Sequence, residues 1–369
     1  MAVAVVERVR RNPNIALVAV IAVAAVVWPF LLSTTTHFYG VLSISYALVA
    51  LSLTVLSGWT GQISLCQAAF LGIGVYAGQK LLHGGVPLPL TLVIVAAIGA
   101  AVSLVLGVPS LRLRGVYLTI ATLAFGAACQ RYFFELESIR GYRSSVVPRS
   151  SFFGFSTASD RSLYFVGLFV AALAFAAVAN LRRSDAGRAL FAIRDSEDAA
   201  QALGIRLAPY KVGAFAFSAA LATTAGVFYG MLFQATPGPE QFGVIQSFFL
   251  LALPVIGGLQ TLAGAVVGGV LLATAQPVVN AFGIRLFLAS GVLLVLVTLV
   301  RADGIVGLIL RAGRRFREQI RPESIVRYGS FLPEAPTTNG QHAPRVLVSR
   351  PLLPGSVVRL RLSRSGGRS

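Results

Sequence analysis

Side chains able to do covalent or metal chemistry are few in this chain, and they are scattered. His37, His83 and His342 stand apart from one another and from Cys66 and Cys129, so no zinc-ligand spacing exists. The two cysteines lie in apolar runs and read as small hydrophobes. No Ser/His/Asp, His-Glu-x-x-His or paired intramembrane carboxylate pattern occurs, which removes the usual enzymatic constellations. Lysine is present only at Lys80 and Lys211 and never follows a glycine, so the chain carries no phosphate-binding loop for ATP. Two polar groupings remain. One is the run GRALFAIRDSEDAAQALGI (187–205), which sets Asp195, Glu197 and Asp198 beside Arg188 and Arg194 in a sequence with only 13 acidic residues. Its chemistry is recognition of another surface. The other is Gln62, Ser64 and Gln67 in an apolar stretch, where such groups face a neighbouring helix or a polar cavity instead of lipid. Singly, each is as good a helix-packing group as a solute contact; as a set around a Gly-rich bend they suit the lining of a translocation path.

The elements that must position these groups follow from composition. The chain has 369 residues, 56% hydrophobic and 12% charged, against about 25% charged in a soluble domain. An all-α polytopic membrane protein is expected. At about 20 apolar residues per crossing, roughly ten spans are legible, at 15–32, 39–57, 63–82, 88–108, 115–134, 162–180, 210–232, 244–258, 260–281 and 285–300. The first follows a basic stretch but reads as a retained span, not a cleaved signal. Net charge is +18, yet the basic residues sit mainly in connections between apolar runs, which argues for membrane orientation and against a nucleic-acid partner. Their distribution puts both termini in the cytoplasm, with residues 1–14 inside, the connection 135–161 outside and the connection 181–209 inside. Residues 15–312 form the membrane domain. Residues 313–369 make a basic cytoplasmic tail, expected to be disordered from 322 onward.

Within 187–205, local rules predict two short helices. Ser196 can cap a turn begun by Glu197 and Asp198, whose charges suit the positive end of the helix dipole, and Gly204 is placed to end it. Gly187 is expected to break the chain after Arg182 and Arg183. Leu190, Ile193, Ala200 and Leu203 recur at helical spacing, with the acids elsewhere. The many alanines let a second surface come close.

This run resembles the cytoplasmic coupling loop of ABC-transporter inner-membrane permeases, in the form found in the branched-chain amino-acid (high-affinity leucine, isoleucine, valine) permease family. The resemblance implies that Gly187, Arg188, Ala189, Arg194, Asp195, Glu197, Ala199, Ala200, Leu203 and Gly204 dock into a groove of a separate ATPase subunit. Phe191 and Ser196 stand where the family more commonly has a basic residue and Asn. LSGWTGQISLCQAAFLGIGVYAG (56–78) is similar to the family's Gly-Gln-x-Ser-Leu signature, with Cys66 in place of a usual Gly. Gly61, Gln62, Ser64, Gln67, Phe70 and Tyr76 are thereby candidates for the translocation path. GVYLTIATLAFG (115–126) and FFLLALPVIGGLQTLAGAVVGGVLL (248–272) also resemble family segments, so the similarity runs from about 15 to 312.

What the resemblance implies is a permease subunit of an ATP-driven importer for branched-chain or other hydrophobic amino acids, located in the plasma (inner) membrane. It is not an enzyme and has no cofactor or metal of its own. Implied partners are ATP-binding subunits, a second permease in a heterodimer, an extracytoplasmic solute-binding protein and membrane lipid. Related permeases handle urea, short amides and aromatic acids. A secondary transporter of small polar solutes is the alternative from another class, but no acidic residue or histidine falls at the centre of a span to couple an ion.

Overall fold

A computed structural model of the chain describes residues 34–110, 116–136, 139, 151–152, 155–156, 159–234, 237–281, 304, 306 and 307. The chain divides into two compact units, Met1–Gln319 and Ile320–Ser369, and every described residue belongs to the first. The expected N-terminus 1–14, the spans 15–32 and 285–300 and the tail 313–369 lie outside the described residues.

Helix α1, Thr34–Leu53, is rich in Ser and Thr, and its final turn widens into a π-helical turn, Thr54–Trp59. In apolar surroundings these hydroxyls turn back onto carbonyls three or four residues earlier. Ser43 donates to Tyr39 O (2.7 Å), Ser52 to Val49 O (2.7 Å) and Thr54 to Ala50 O (2.9 Å). Back-bonding satisfies the hydroxyl and tends to bend the helix, and the π turn begins where Ser52 and Thr54 do this. The chain then leaves helical geometry over 61–66 and resumes as α2, Gln67–His83.

Five expected spans match helices closely: α3 (Leu88–Ser110), α4 (Val116–Arg131), α5 (Asp160–Arg183), α8 (Leu207–Phe233) and α10 (Leu262–Ala281). Between α5 and α8 lie the short helices α6 (Asp185–Asp195) and α7 (Glu197–Ala202). Two expectations need correction. The span set at 63–82 begins instead at Gln67, because backbone groups of Ile63, Leu65 and Ala68 bond to side chains of other helices. The span set at 244–258 is α9, Val244–Gly257, with 14 residues; at 1.5 Å per residue it is about 21 Å long, short of a roughly 30 Å hydrocarbon layer. Among the described residues, His37–Trp59, Leu88–Gly107, Asp160–Arg183 and Leu207–Phe233 are long and apolar enough to cross a membrane. In the 135–161 connection, β1 (Ser151–Phe152) and β2 (Phe155–Ser156) form a minimal antiparallel pair.

α1 is buried from Gly40 to its end, with α5, α8, α9 and α10 packed on it. α8 in turn packs on α2 and α3. α2 and α8 approach closely, as do α9 and α10, where a Cβ at Gly268 would strike the Leu253 carbonyl oxygen. A Cβ at Gly74 would strike the Thr223 carbonyl oxygen, and one at Gly226 would strike that of Leu71. The small-residue spacing in α2 therefore sets how near α8 can lie. By contrast, most of α3 and α5 is at least partly exposed, with Val93, Val105, Phe169 and Leu173 outward, as lipid-facing helices require.

Replacing Gly74 with Leu should lower the thermal unfolding midpoint of the detergent-purified chain by more than ordinary overpacking, which costs about 1–3 kcal/mol. Gly213, which has nothing within 4 Å of a Cβ, should accept Ala with no loss, or with a gain of up to roughly 1 kcal/mol from helix propensity.

Candidate functional site

The 181–209 connection is a capped helix-turn-helix. Ser184 ends α5 and opens α6, its Oγ accepting from Gly187 N (3.3 Å); Ser196 opens α7 in the same way, accepting from Ala199 N (3.2 Å). Gly204, at φ +82°, ends the unit in a left-handed turn, with Ile205 N bonded to Ala200 O (3.0 Å). The break after Arg182 and Arg183 thus falls at Ser184 and not at Gly187. Gly187 lies in the first turn of α6, where a side chain would strike the carbonyl oxygens of Leu181 and Arg182.

The ten residues of the expected docking unit divide by direction. Gly187, Ala189 and Ala200 are buried against the protein's own helices, as are Leu190 and Ile193. Arg188, Asp195, Ala199 and Gly204 face outward. So does Leu203, expected on the apolar face with Leu190, Ile193 and Ala200, but 79% exposed because the chain turns at Gly204. Arg194 is half-buried, its aliphatic stem against Gly61. Glu197 is not a free surface charge: its carboxylate pairs with Lys211 Nζ at 2.6 Å, with the lysine side chain only 13% exposed. This pair ties α7 to the first turns of α8. Arg188 and Asp185 also pair, but both are largely exposed, so that contact contributes little.

The second grouping sits at the break between α1 and α2. Gln62 accepts at its backbone oxygen from Ser57 Oγ (3.0 Å), and its N–H donates to Thr60 Oγ1 (3.3 Å). Thr119 Oγ1 donates to Ile63 O (3.2 Å), Leu65 N donates to Thr122 Oγ1 (3.1 Å), and Ala68 N donates to Ser247 Oγ (3.3 Å). Side chains of α4 and α9 thus stand in for helical hydrogen bonds. Gly61 and Ile63 are exposed and Gln62 partly so, whereas Ser64, Gln67, Phe70 and Tyr76 are buried. Ser64 Oγ lies 3.1 Å from Cys66 Sγ. Gln67 Nε2 donates to Ser218 Oγ (2.9 Å), which donates to Ser52 O (2.9 Å). Gln67 Oε1 is buried with no hydrogen-bond partner among the described residues. Phe70 packs on Phe125 and Phe215, both at 5.9 Å. Farther along α2, Tyr76 donates to Pro237 O (2.9 Å) and packs on Phe134 and Phe242.

Reading the sequence alone missed Lys211, Ser218, Trp59 and the threonines that serve the break. Three signals pointed to them: Lys211 is one of two lysines, Thr119 and Thr122 are three apart in a polar pair on an apolar helix, and Trp59 lies inside the run 56–78. Among the described residues there is no group of His, Cys, Asp and Glu able to hold a metal.

Comparison with known proteins accords with this architecture. Residues 35–301 match the family described as branched-chain amino acid transport system / permease component. The chain is 32% identical over 312 residues to the high-affinity branched-chain amino acid transport system permease protein LivM of Escherichia coli (strain K12), covering 77% of this chain and 72% of that one. It is 27% identical to the LivH permease protein of the same system and organism, covering 75% and 96%. It is 24% identical to the autoinducer 2 import system permease protein LsrC of Enterobacter sp. (strain 638), covering 74% and 78%. No solved structure matches the chain.

The Gln67 node allows a comparison of opposite variants. Ser218→Ala strands the N–H of the buried Gln67 amide by removing its acceptor and should cost about 1–3 kcal/mol. Gln67→Leu removes an acceptor that has no partner and leaves Ser218 bonded to Ser52, so thermal unfolding in detergent should show the smaller loss for Gln67→Leu.

Proposed function

Since the chain belongs to the branched-chain amino acid permease family of ABC importers, we propose that it works as one of two permease subunits through which an ATP-driven importer passes branched-chain or other hydrophobic amino acids. The substrate class rests on the 32% identity to LivM. ATP is bound and hydrolysed by separate subunits, in keeping with the missing phosphate-binding loop. An extracytoplasmic solute-binding protein delivers the solute. In this reading both termini and 181–209 are cytoplasmic, residues 15–312 are the permease domain, and residues 313–369 are a tail whose arginines lie on anionic lipid.

The carrying observation is the outward side of α6 and α7: an exposed Leu203 in a patch of small and charged residues. A large apolar side chain standing in water beside alanines and a glycine is a poor solvent-facing surface but a good anchor for a protein groove. Arg188, Asp195, Ala199, Leu203 and Gly204 meet the ATPase, while Gly187, Ala189 and Ala200 fix the unit to the permease; Arg194 and Glu197 serve the joint between the two. On the membrane side, Gly61, Gln62 and Ile63 line the route between the two permeases. Ser64, Gln67, Phe70 and Tyr76 hold that lining in place from behind.

Leu203→Asp should leave the permease in the membrane with its partner permease, yet reduce co-purified ATPase at least about tenfold, the scale of a lost interface hot spot. Unchanged co-purification would remove the docking assignment.

A further inference from the structure

The π turn at the end of α1 lies between the docking segment and the turn joining α9 to α10. The ring of Trp59, fully buried, stacks obliquely on Phe191 of α6 with centroids 5.5 Å apart. Its Nε1–H points at Gln260 O (3.4 Å) in the α9–α10 turn. One residue earlier, a Cβ at Gly58 would strike the Leu259 carbonyl oxygen. Two residues later, Gly61, at φ +71°, lies against the stem of Arg194. Six residues beyond that, Gln67 is bonded through Ser218 to Ser52, just before the π turn.

We propose that the π turn Thr54–Trp59 is the hinge of the transport cycle, with Trp59 and Phe191 as the positioning residues that carry movement of the docking segment to the break at 61–66. This rests on the reading that 181–209 docks an ATPase. A π turn has a slack hydrogen-bond ladder and occurs mostly at functional sites, so it can change pitch while the buried α1 before it stays packed. Phe191 is only half-buried, which makes it the more tolerant end of the contact to alter. It transmits force as an aromatic surface, so Phe191→Tyr keeps the contact and Phe191→Ala removes it.

The test is a reconstituted importer containing both permeases, the ATPase subunits and the binding protein. Phe191→Ala should co-purify the ATPase normally and hydrolyse ATP within about twofold of the parent, while solute uptake falls at least about tenfold, separating the two rates. Phe191→Tyr should restore uptake, and Trp59→Ala should add little to Phe191→Ala in the double variant, as coupled neighbours do. Parallel loss of uptake and hydrolysis, or normal uptake in Phe191→Ala, overturns the proposal. Loss of the ATPase from Phe191→Ala also overturns it, making Phe191 a docking contact. A parent permease that brings down no ATPase sinks the docking reading itself and this proposal with it.

Discussion

Hydrocarbon offers no hydrogen-bonding partner, so each N–H and C=O at membrane depth must be met by the protein or by enclosed water. Helices meet this requirement within themselves; the 61–66 break cannot. The arrangement of the surrounding helices follows from that need. Thr119 and Thr122 bring α4 to the break, Ser247 brings α9, and Ser57 and Thr60 close it from the π turn. Non-helical backbone is tolerated in a membrane only when enclosed by protein or beside water. In the proposed orientation the exposed Gly61 and Ile63 lie at the cytoplasmic end of this packing, Gly61 against the stem of Arg194, on the edge proposed to meet a partner permease or an aqueous route.

The segment 181–209 poses the opposite problem if, as proposed, it docks an ATPase, since it must then stay in water while being held rigidly. Three devices fix it. Ser184 and Ser196 cap its helices, Gly187 lets α6 sit on the end of α5, and the Glu197–Lys211 pair anchors α7 to α8. A rigid joint is what allows a push on a surface helix to arrive at α8, which carries Ser218, and at Trp59 beside the break. Both contacts act near the Gln67 node, where the amide is bonded to Ser218.

Much of this was legible in the residues. Apolar run length located α3, α5, α8 and α10 within a few residues, because a helix in lipid has little choice of length. The caps at Ser196 and Gly204 were readable from local chemistry alone. What escaped was tertiary. Nothing local distinguishes a Gly187 that breaks a helix from one that lets two helices touch, and helical spacing grouped Leu203 with the buried Leu190, Ile193 and Ala200 because it does not register the turn at Gly204. Gln62, Ser64 and Gln67 looked alike in sequence, yet the break leaves Gln62 partly open and buries the other two. The partner of Glu197 lies 14 residues on, beyond a turn, and charge patterning along one helix cannot find it.

The proposed function requires that the break between α1 and α2 face an aqueous route and not lipid. Single cysteines at Gln62, Ile63, Val93 and Phe169, introduced after Cys66 and Cys129 are replaced, can be offered water-soluble, membrane-impermeant thiol reagents from either side of native membranes. Positions 62 and 63 should react, and positions 93 and 169 should react only with a lipid-soluble reagent. Inert cysteines at 62 and 63, with labelling at 93 or 169, would contradict it.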